Sequence, residues 1–586
     1  MEENMNKKKI MALILSLSIC LGAAGCTSNS TDSSTDTGTD TAGAGILTSI
    51  NITAAEKETI GKAGTSITLG DSITVTGSGA EADGDTVTIT AAGTYSVKGT
   101  LEDGQIVVNA GNSDDVYIIL NGADISSSDS PAIYVENADK AVIWTAEGTE
   151  NNLSTAAAAD ADADAALYSK ADLIVSGTGT LSVESANSKG VVGSDDLRIQ
   201  GGSLTVTSAA DGIKGKDSVE ITGGDITVEA AGDGIVSDND TDAGKGYILM
   251  EGGKISITAG EDGLQGEVNT LIKDGDLTIS TGGGSANSSD KASWGQSQST
   301  TETTVSAKAI KAGMNIVIEG GTIDIDSSDD ALNSGNNLVV SGGTMNISSG
   351  DDGLHADSTL TINKGTVKLA KAYEGIESQS ITVNGGDVDM TTSDDGFNVS
   401  GGSDSSSTNG RPGQNGFGSD SGGTLTINGG EINVNCSGDG LDSNGSIKMT
   451  AGTVTVDGPT NDGNGAIDYN GTFDITGGIL IASGSSGMAE GPSATSTQNS
   501  VKITLTSQSA GTAISIKGSS GSEIASFTPS KQYASVVISS PDIKSGSTYT
   551  VYAGGNEVGS FTVSGTVSEV TQSGASSGTT GGKKHP

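Results

Sequence analysis

Aromatic side chains are nearly missing from this sequence. They supply 3% of its residues, so its core has to be built from aliphatic side chains. Proline is also scarce, at 7 residues against 89 glycines, a balance that suits many short strands joined by tight turns and leaves little room for helix. Basic residues are heavily outnumbered: Lys and Arg total 29, Asp and Glu 73, for a formal net charge of -44. That deficit excludes nucleic acid as a natural partner, because binding phosphates needs a basic footprint. It also suits solubility outside the cell and capture of divalent cations. There are 3 cysteines and 2 histidines, and no Ser/His/Asp group, EF-hand loop or glycine-aspartate nonapeptide repeat can be found.

What the chain has instead is a period. From Ile310 onward, Lys308-Ala-Ile310, Asp330-Ala-Leu332, Asp352-Gly-Leu354, Glu374-Gly-Ile376 and Asp395-Gly-Phe397 place their apolar members at spacings of 22, 22, 22 and 21. The phase runs back through Leu264, Ile235, Ile213, Val191, Leu167 and Ile133 and on through Leu441 and Ile467. A second signature accompanies it, as in Ile318-Glu-Gly-Gly-Thr-Ile-Asp-Ile325 and Val340-Ser-Gly-Gly-Thr-Met-Asn-Ile347: strand, glycine turn, strand, with period-2 alternation. The pattern predicts an all-β fold, a right-handed parallel β-helix with coils of about 22 residues stacked about 4.8 Å apart. About 13 phased coils make a rod about 60 Å long.

The ends read differently. Lys7, Lys8 and Lys9 precede the apolar run Ile10 to Leu21, and small residues lead into Cys26. Residues 1–25 therefore read as a signal peptide. Ala23-Ala-Gly-Cys26 resembles the lipobox of bacterial lipoproteins, with Ala23 where Leu is usual, so Cys26 is the expected lipidation site on the extracellular face of a bacterial membrane. The anchor is the only expected membrane contact. Residues 26–45 are a Ser/Thr/Gly linker. Residues 46–116 read as an N-terminal β entry or cap, 117–497 as the β-helix domain, and 498–566 as a small antiparallel β domain. Residues 567–586 read as a disordered tail, and inserts at about 237–246, 281–306 and 403–423 break the pitch. With Cys26 acylated, Cys436 has no partner, so stability is left to stacking and metal. A monomer is expected.

Asp211, Asp233, Asp262, Asp330, Asp352, Glu374, Asp395 and Asp439 each stand two residues before a phased apolar residue, so stacking puts them in one column. Unit charges about 5 Å apart repel by roughly 3 kcal/mol at an effective dielectric near 20. Asp329, Asp351 and Asp394 immediately precede column members, and Glu377, Asp442 and Asp468 follow the apolar residue. Oxygen donors at this density point to Ca²⁺. The expected ligands are Asp329, Asp330, Asp351, Asp352, Glu374, Glu377, Asp394 and Asp395. The plainer alternative is that Asp-Gly and Asp-Asp-Gly favour turns through side-chain to backbone bonding.

The chain resembles a known family, the secreted calcium- and carbohydrate-binding β-helix proteins of anaerobic cellulose degraders, related in fold to polysaccharide lyases. The resemblance is carried by Ile119-Leu-Asn-Gly-Ala-Asp-Ile-Ser126, Ser130-Pro-Ala-Ile-Tyr-Val135, Asp211-Gly-Ile213, the Asp-Asp-Gly coils and Thr528-Pro-Ser-Lys-Gln-Tyr533. It implies binding of plant cell-wall polysaccharide, cellulose-like or acidic, with calcium in the helix. Candidate sugar platforms are Tyr134, Tyr168, Tyr373 and Trp294; coil-to-coil packing explains the tyrosines equally well. The rival reading is a calcium-dependent polysaccharide lyase acting by β-elimination, with Lys308 or Lys311 as base. Against it, Lys308 shares a column with Asp330 and is explained as its ion-pair partner. His355 reads as an ordinary exposed polar residue. A non-catalytic adhesin or spacer is the third class.

Overall fold

The computed structural model describes residues 52–159, 162–288, 306–400 and 422–575. The signal peptide, Cys26, Trp294 and most of the inserts expected at 281–306 and 403–423 lie outside those residues. The described chain is all-β apart from one short 3-10 turn at Ser285–Asn287, and 47 of its strands belong to one hydrogen-bonded sheet.

Parallel pairing dominates that sheet. Through most of the chain each strand pairs with the one three places later, which sorts the strands into three ladders. In the first, Leu332 pairs with Leu354, Leu354 with Ile376, Ile376 with Phe397 and Phe397 with Leu441. The phased residues back to Ile133 stand in the same register. Each rung adds a Leu, Ile, Val or Phe with essentially no exposure to one continuous cluster. The third ladder, of strands such as Thr322–Ser327 and Thr344–Ser349, alternates exposed and buried positions, as period-2 patterning requires. At the turn between the second and third ladders Gly343 has φ 81°, and a Cβ there would lie 2.9 Å from the Gly320 carbonyl oxygen of the previous rung. Glycine alone fits that corner.

The ends are built into the same sheet. Thr65–Thr68 already pairs parallel with Tyr95–Lys98, and Thr86–Ile89 with Gln105–Val108, so stacking runs through the segment read as an entry cap. At the other end Tyr533–Ser539 pairs antiparallel with both Ile479–Gly484 and Ser500–Gln508, closing the third ladder. A separate four-stranded antiparallel sheet packs its own cluster around Ile514, Tyr549 and Phe561. Order continues past the expected boundary at residue 566. Val567–Thr571 is a strand paired with Ser500–Thr504, because that edge offers unpaired backbone and Val570 packs inward.

The second ladder breaks the alternation. Tyr247–Met250 is buried at every position, and Leu249, Leu271, Val317 and Val339 form an apolar cluster apart from the main core. The segment from Ile52 to Glu58 covers it. Ile52 and Ala54 pack on the cluster, and Lys273 Nζ donates to the Ile52 carbonyl at 2.6 Å. The Ala55 amide donates to Glu220. Gln200 accepts from the Glu58 amide and donates to the Glu56 carbonyl, and Glu58 pairs with Lys140 at 2.6 Å. The chain therefore runs as an unladdered strap back along the second ladder before it enters the first rung. Ile52→Asp should cost about 1–2 kcal/mol of stability by uncovering apolar area and should raise binding of a hydrophobic dye; an unchanged urea melt with unchanged dye signal would show that the strap covers nothing of consequence.

Candidate functional site

From Asp211 to Asp439 the loop before most first-ladder strands delivers one acid, and three late rungs add another directly after the apolar residue, at Glu377, Asp442 and Asp468. Asp352-Gly-Leu354 shows why the loop is so fixed. A Cβ on Gly353 would approach the Gly375 carbonyl oxygen and Leu369 to 2.6 Å, so the backbone of successive rungs touches at that position. The column acids serve this packing directly. One oxygen accepts the amide of the next column residue: Asp233 from Asp262, Asp262 from Lys308, Asp330 from Asp352, Asp395 from Asp439. Turn chemistry therefore accounts for one oxygen of these carboxylates and leaves the other to be explained.

At Asp262 and Asp330 protein cations supply the explanation, whereas burial and the neighbouring Asp262 take Asp233 up to about 7. Lys308 is buried, with Nζ 2.6 Å from Asp330 Oδ2 and 3.2 Å from Asp329 Oδ2. Lys311 Nζ lies 2.7 Å from Asp262 Oδ2. Burial works to raise the Asp330 pKa, yet Lys308 and His355 hold it down to about 2. His355 differs from its sequence reading. It is 0% exposed, with Nδ1 3.2 Å from Asp352 Oδ2 and 3.3 Å from Glu377 Oε2. The first-ladder register that places it between Asn333 and Glu377 also encloses it between rungs.

The second half of the column differs. Among the described residues no basic side chain forms an ion pair with Glu374, Asp395, Asp439 or Asp442. Burial, and then neighbouring acids, push Glu374, Asp395 and Asp442 well above the usual carboxylate range; burial takes Asp439 up to about 7. One oxygen each of Asp439, Asp442 and Asp468 lie within 4.8 Å of one another. Asn398, which sequence reading missed, stands between Glu377 and Asp442 in register. Its Nδ2 donates to Glu374 at 2.6 Å, while its buried Oδ1 has no partner. A buried carbonyl oxygen left unsatisfied beside half-buried carboxylates fits a hard, oxygen-seeking cation such as Ca²⁺. Asp329, Asp330 and Asp351 also converge within 4.8 Å, but there Lys308 already supplies positive charge. Asp394 sits beside Tyr373.

The aromatic candidates do not converge. Tyr134 and Tyr168 stack in register, ring centroids 6.0 Å apart and edge to face, with Lys170 5.3 Å from the Tyr134 ring and Ser194 donating to the Tyr168 hydroxyl. Tyr373 lies eight rungs beyond Tyr168, about 38 Å at the ladder spacing. Tyr134 and Tyr168 share one register column with Lys214, Lys311, His355, Glu377, Asn398, Asp442 and Asp468, interrupted by Val192, Val236, Gln265 and Asn333, and its acids stand in the last rungs.

A carbohydrate-binding domain-containing protein of Acetivibrio thermocellus is 36% identical over 126 residues, which is 20% of this chain and 44% of that relative's length. The solved structure of a polysaccharide lyase-like protein from C. thermocellum, a gadolinium derivative, shares 34% identity with a TM-score of 0.36, covering 37% of this chain and 92% of the other. The family model described as carbohydrate-binding domain-containing protein matches residues 83–353 and 352–396; with more than half of its 586 residues inside that match, the chain belongs to this family.

Proposed function

We propose that this protein binds plant cell-wall polysaccharide at the bacterial cell surface, through three ladders wound as a right-handed parallel β-helix and an acidic column that holds Ca²⁺. One observation carries the metal part. Among the described residues the run Glu374, Asp395, Asp439, Asp442 and Asp468 is acid upon acid with no basic side chain in an ion pair, and Asn398 Oδ1, without a hydrogen-bond partner there, stands inside it. Repulsion between half-buried, closely stacked carboxylates is relieved when a divalent ion sits among them. The ligands fall in the second half of the column, centred on Glu374, Asp395, Asn398, Asp439 and Asp442, because Lys308 and Lys311 already pair with Asp329, Asp330 and Asp262. Calcium held at an outward column also bridges naturally to the carboxylates of an acidic polymer. Cellulose-like polymer is the second ligand class, with Tyr134 and Tyr168 as its platform. A lipid on Cys26 would hold the protein, as a monomer, on the outer face of the membrane.

The lyase reading meets an obstacle in the geometry. A general base must be free to take a proton, and both Lys308 and Lys311 are held as ion-pair donors to carboxylates. An adhesin or spacer would need only the stacked ladders, and the binding experiment separates it from the reading preferred here. Affinity electrophoresis through polygalacturonate should show retardation with calcium and much less with chelator. Asp439→Asn combined with Asp442→Asn should lose the calcium-dependent part while binding to neutral glucan changes little. Retardation that is absent under every condition would sink the polysaccharide reading; retardation indifferent to both chelator and the double substitution would sink the calcium bridge alone.

A further inference from the structure

The rung carrying Leu354 places a buried imidazole in register between Asn333 and Glu377. His355 Nδ1 stands 3.2 Å from Asp352 Oδ2 and 3.3 Å from Glu377 Oε2, and one donor atom from each of the three residues lies within 4.8 Å of the others. Ligand atoms about 2.0–2.1 Å from a tetrahedral ion are separated from each other by roughly 3.3 Å. The other ring nitrogen is already oriented: Nε2 lies 3.1 Å from Asp357 Oδ1. A proton held there leaves the Nδ1 lone pair facing the two acids, the arrangement in which a carboxylate orients a metal-binding histidine. The second oxygen of Glu377 accepts from Ser400 Oγ, which fixes that side chain in turn.

We propose that Asp352, His355 and Glu377 form a three-ligand site for a borderline divalent transition-metal ion of the Zn²⁺ or Co²⁺ class, clipping the Leu354 rung to the Ile376 rung. This deepens the metal part of the reading above, and donor chemistry separates the two. Calcium takes oxygen, whereas an imidazole nitrogen selects zinc-like ions. The rival account is an imidazolium trapped as a counter-ion, its Nδ1 proton shared between Asp352 and Glu377. Contacts of 3.2 and 3.3 Å are long for such charge-assisted bonds, which close to about 2.7–2.9 Å.

The test is Co²⁺ titration of chelator-stripped full-length protein in millimolar calcium, followed by visible absorption and then by displacement with Zn²⁺. Calcium fills the oxygen sites under these conditions. A single Co²⁺ with the absorption of a nitrogen-containing site, displaced by Zn²⁺, is the expected result, and His355→Gln should abolish it. Asp357→Asn keeps all three ligands and should weaken Co²⁺ about 10–100-fold, so it decides the matter if His355→Gln does not fold. No uptake above calcium, equal uptake by wild type and His355→Gln, or unchanged affinity in Asp357→Asn would each overturn the transition-metal site. None of these outcomes bears on the calcium-dependent polymer binding, which is read separately on polygalacturonate.

Discussion

Leu354→Asp should fail to reach the native state. Leu354 has no exposure and its neighbours in the ladder are Leu332 and Ile376, so the new carboxylate would be buried with no partner in reach. Leu354→Ala is the graded control, expected to cost about 2–5 kcal/mol through lost transfer energy and the cavity left behind. In a stack each rung rests on its two neighbours, so damage at Leu354 interrupts the run that links the first rungs to the last. Far-ultraviolet circular dichroism with urea titration reads both variants. A Leu354→Asp melt superimposable on wild type would mean that the ladder is not the structural core.

The second large effect concerns calcium and pH together. Without cation, Glu374, Asp395 and Asp442 are held protonated well above the ordinary carboxylate range, and Asp439 up to about 7, by burial first and by neighbouring acids second. The folded state then binds more protons than the unfolded chain. The stability this represents is fully present below the unfolded carboxylate pKa, near 4, and is lost as pH rises through the folded values. Chelated protein should therefore melt at a higher temperature at pH 5 than at pH 8, with a free-energy difference on the order of a few kcal/mol. Calcium should reverse or flatten the trend, because its ligands must be deprotonated to bind and it binds only the folded form. Scanning calorimetry across that window, with and without chelator, checks the claim. Identical pH profiles in the two conditions would leave the column as turn chemistry alone.

The apolar phase and the acid column could be read directly because both follow the backbone period. A residue two places before Leu332 stacks on the residue two places before Leu354 whatever its chemistry. Side-chain pairing is not written in that period. Nothing in the spacing says that Lys311 reaches Asp262 across the long insert, that His355 turns into the acids, or that Asn398 leaves an oxygen unpaired. Tyr373 illustrates the limit from the other side: its proximity to Glu374 in sequence said nothing of its distance from Tyr134. The strap did leave a signal that went unread. Tyr-Ile-Leu-Met at 247–250, Asn-Ile-Val-Ile at 315–318 and Asn-Leu-Val-Val at 337–340 are nearly continuous apolar runs, and such runs belong to strands covered on both faces. Weighing them against the cleanly alternating third-ladder strands shows that the second ladder needs a cover, and Ile52 and Ala54 supply part of it.

The strap also sets the order in which contacts would yield to a pull on the chain upstream of it. The chain upstream of Ile52 meets the body beside Leu271 and Val317, many rungs from the first strand at Thr65. Tension arriving from that side has to strip the Lys273–Ile52 bond, then the Glu220 contact, then the two-bond Gln200 clamp, and finally the Glu58–Lys140 pair. Only after that sequence does it pull on the rung at Thr65. None of these attachments is a rung of a ladder, so a pull from that side would spend itself on a row of side-chain fasteners before it reached the stack.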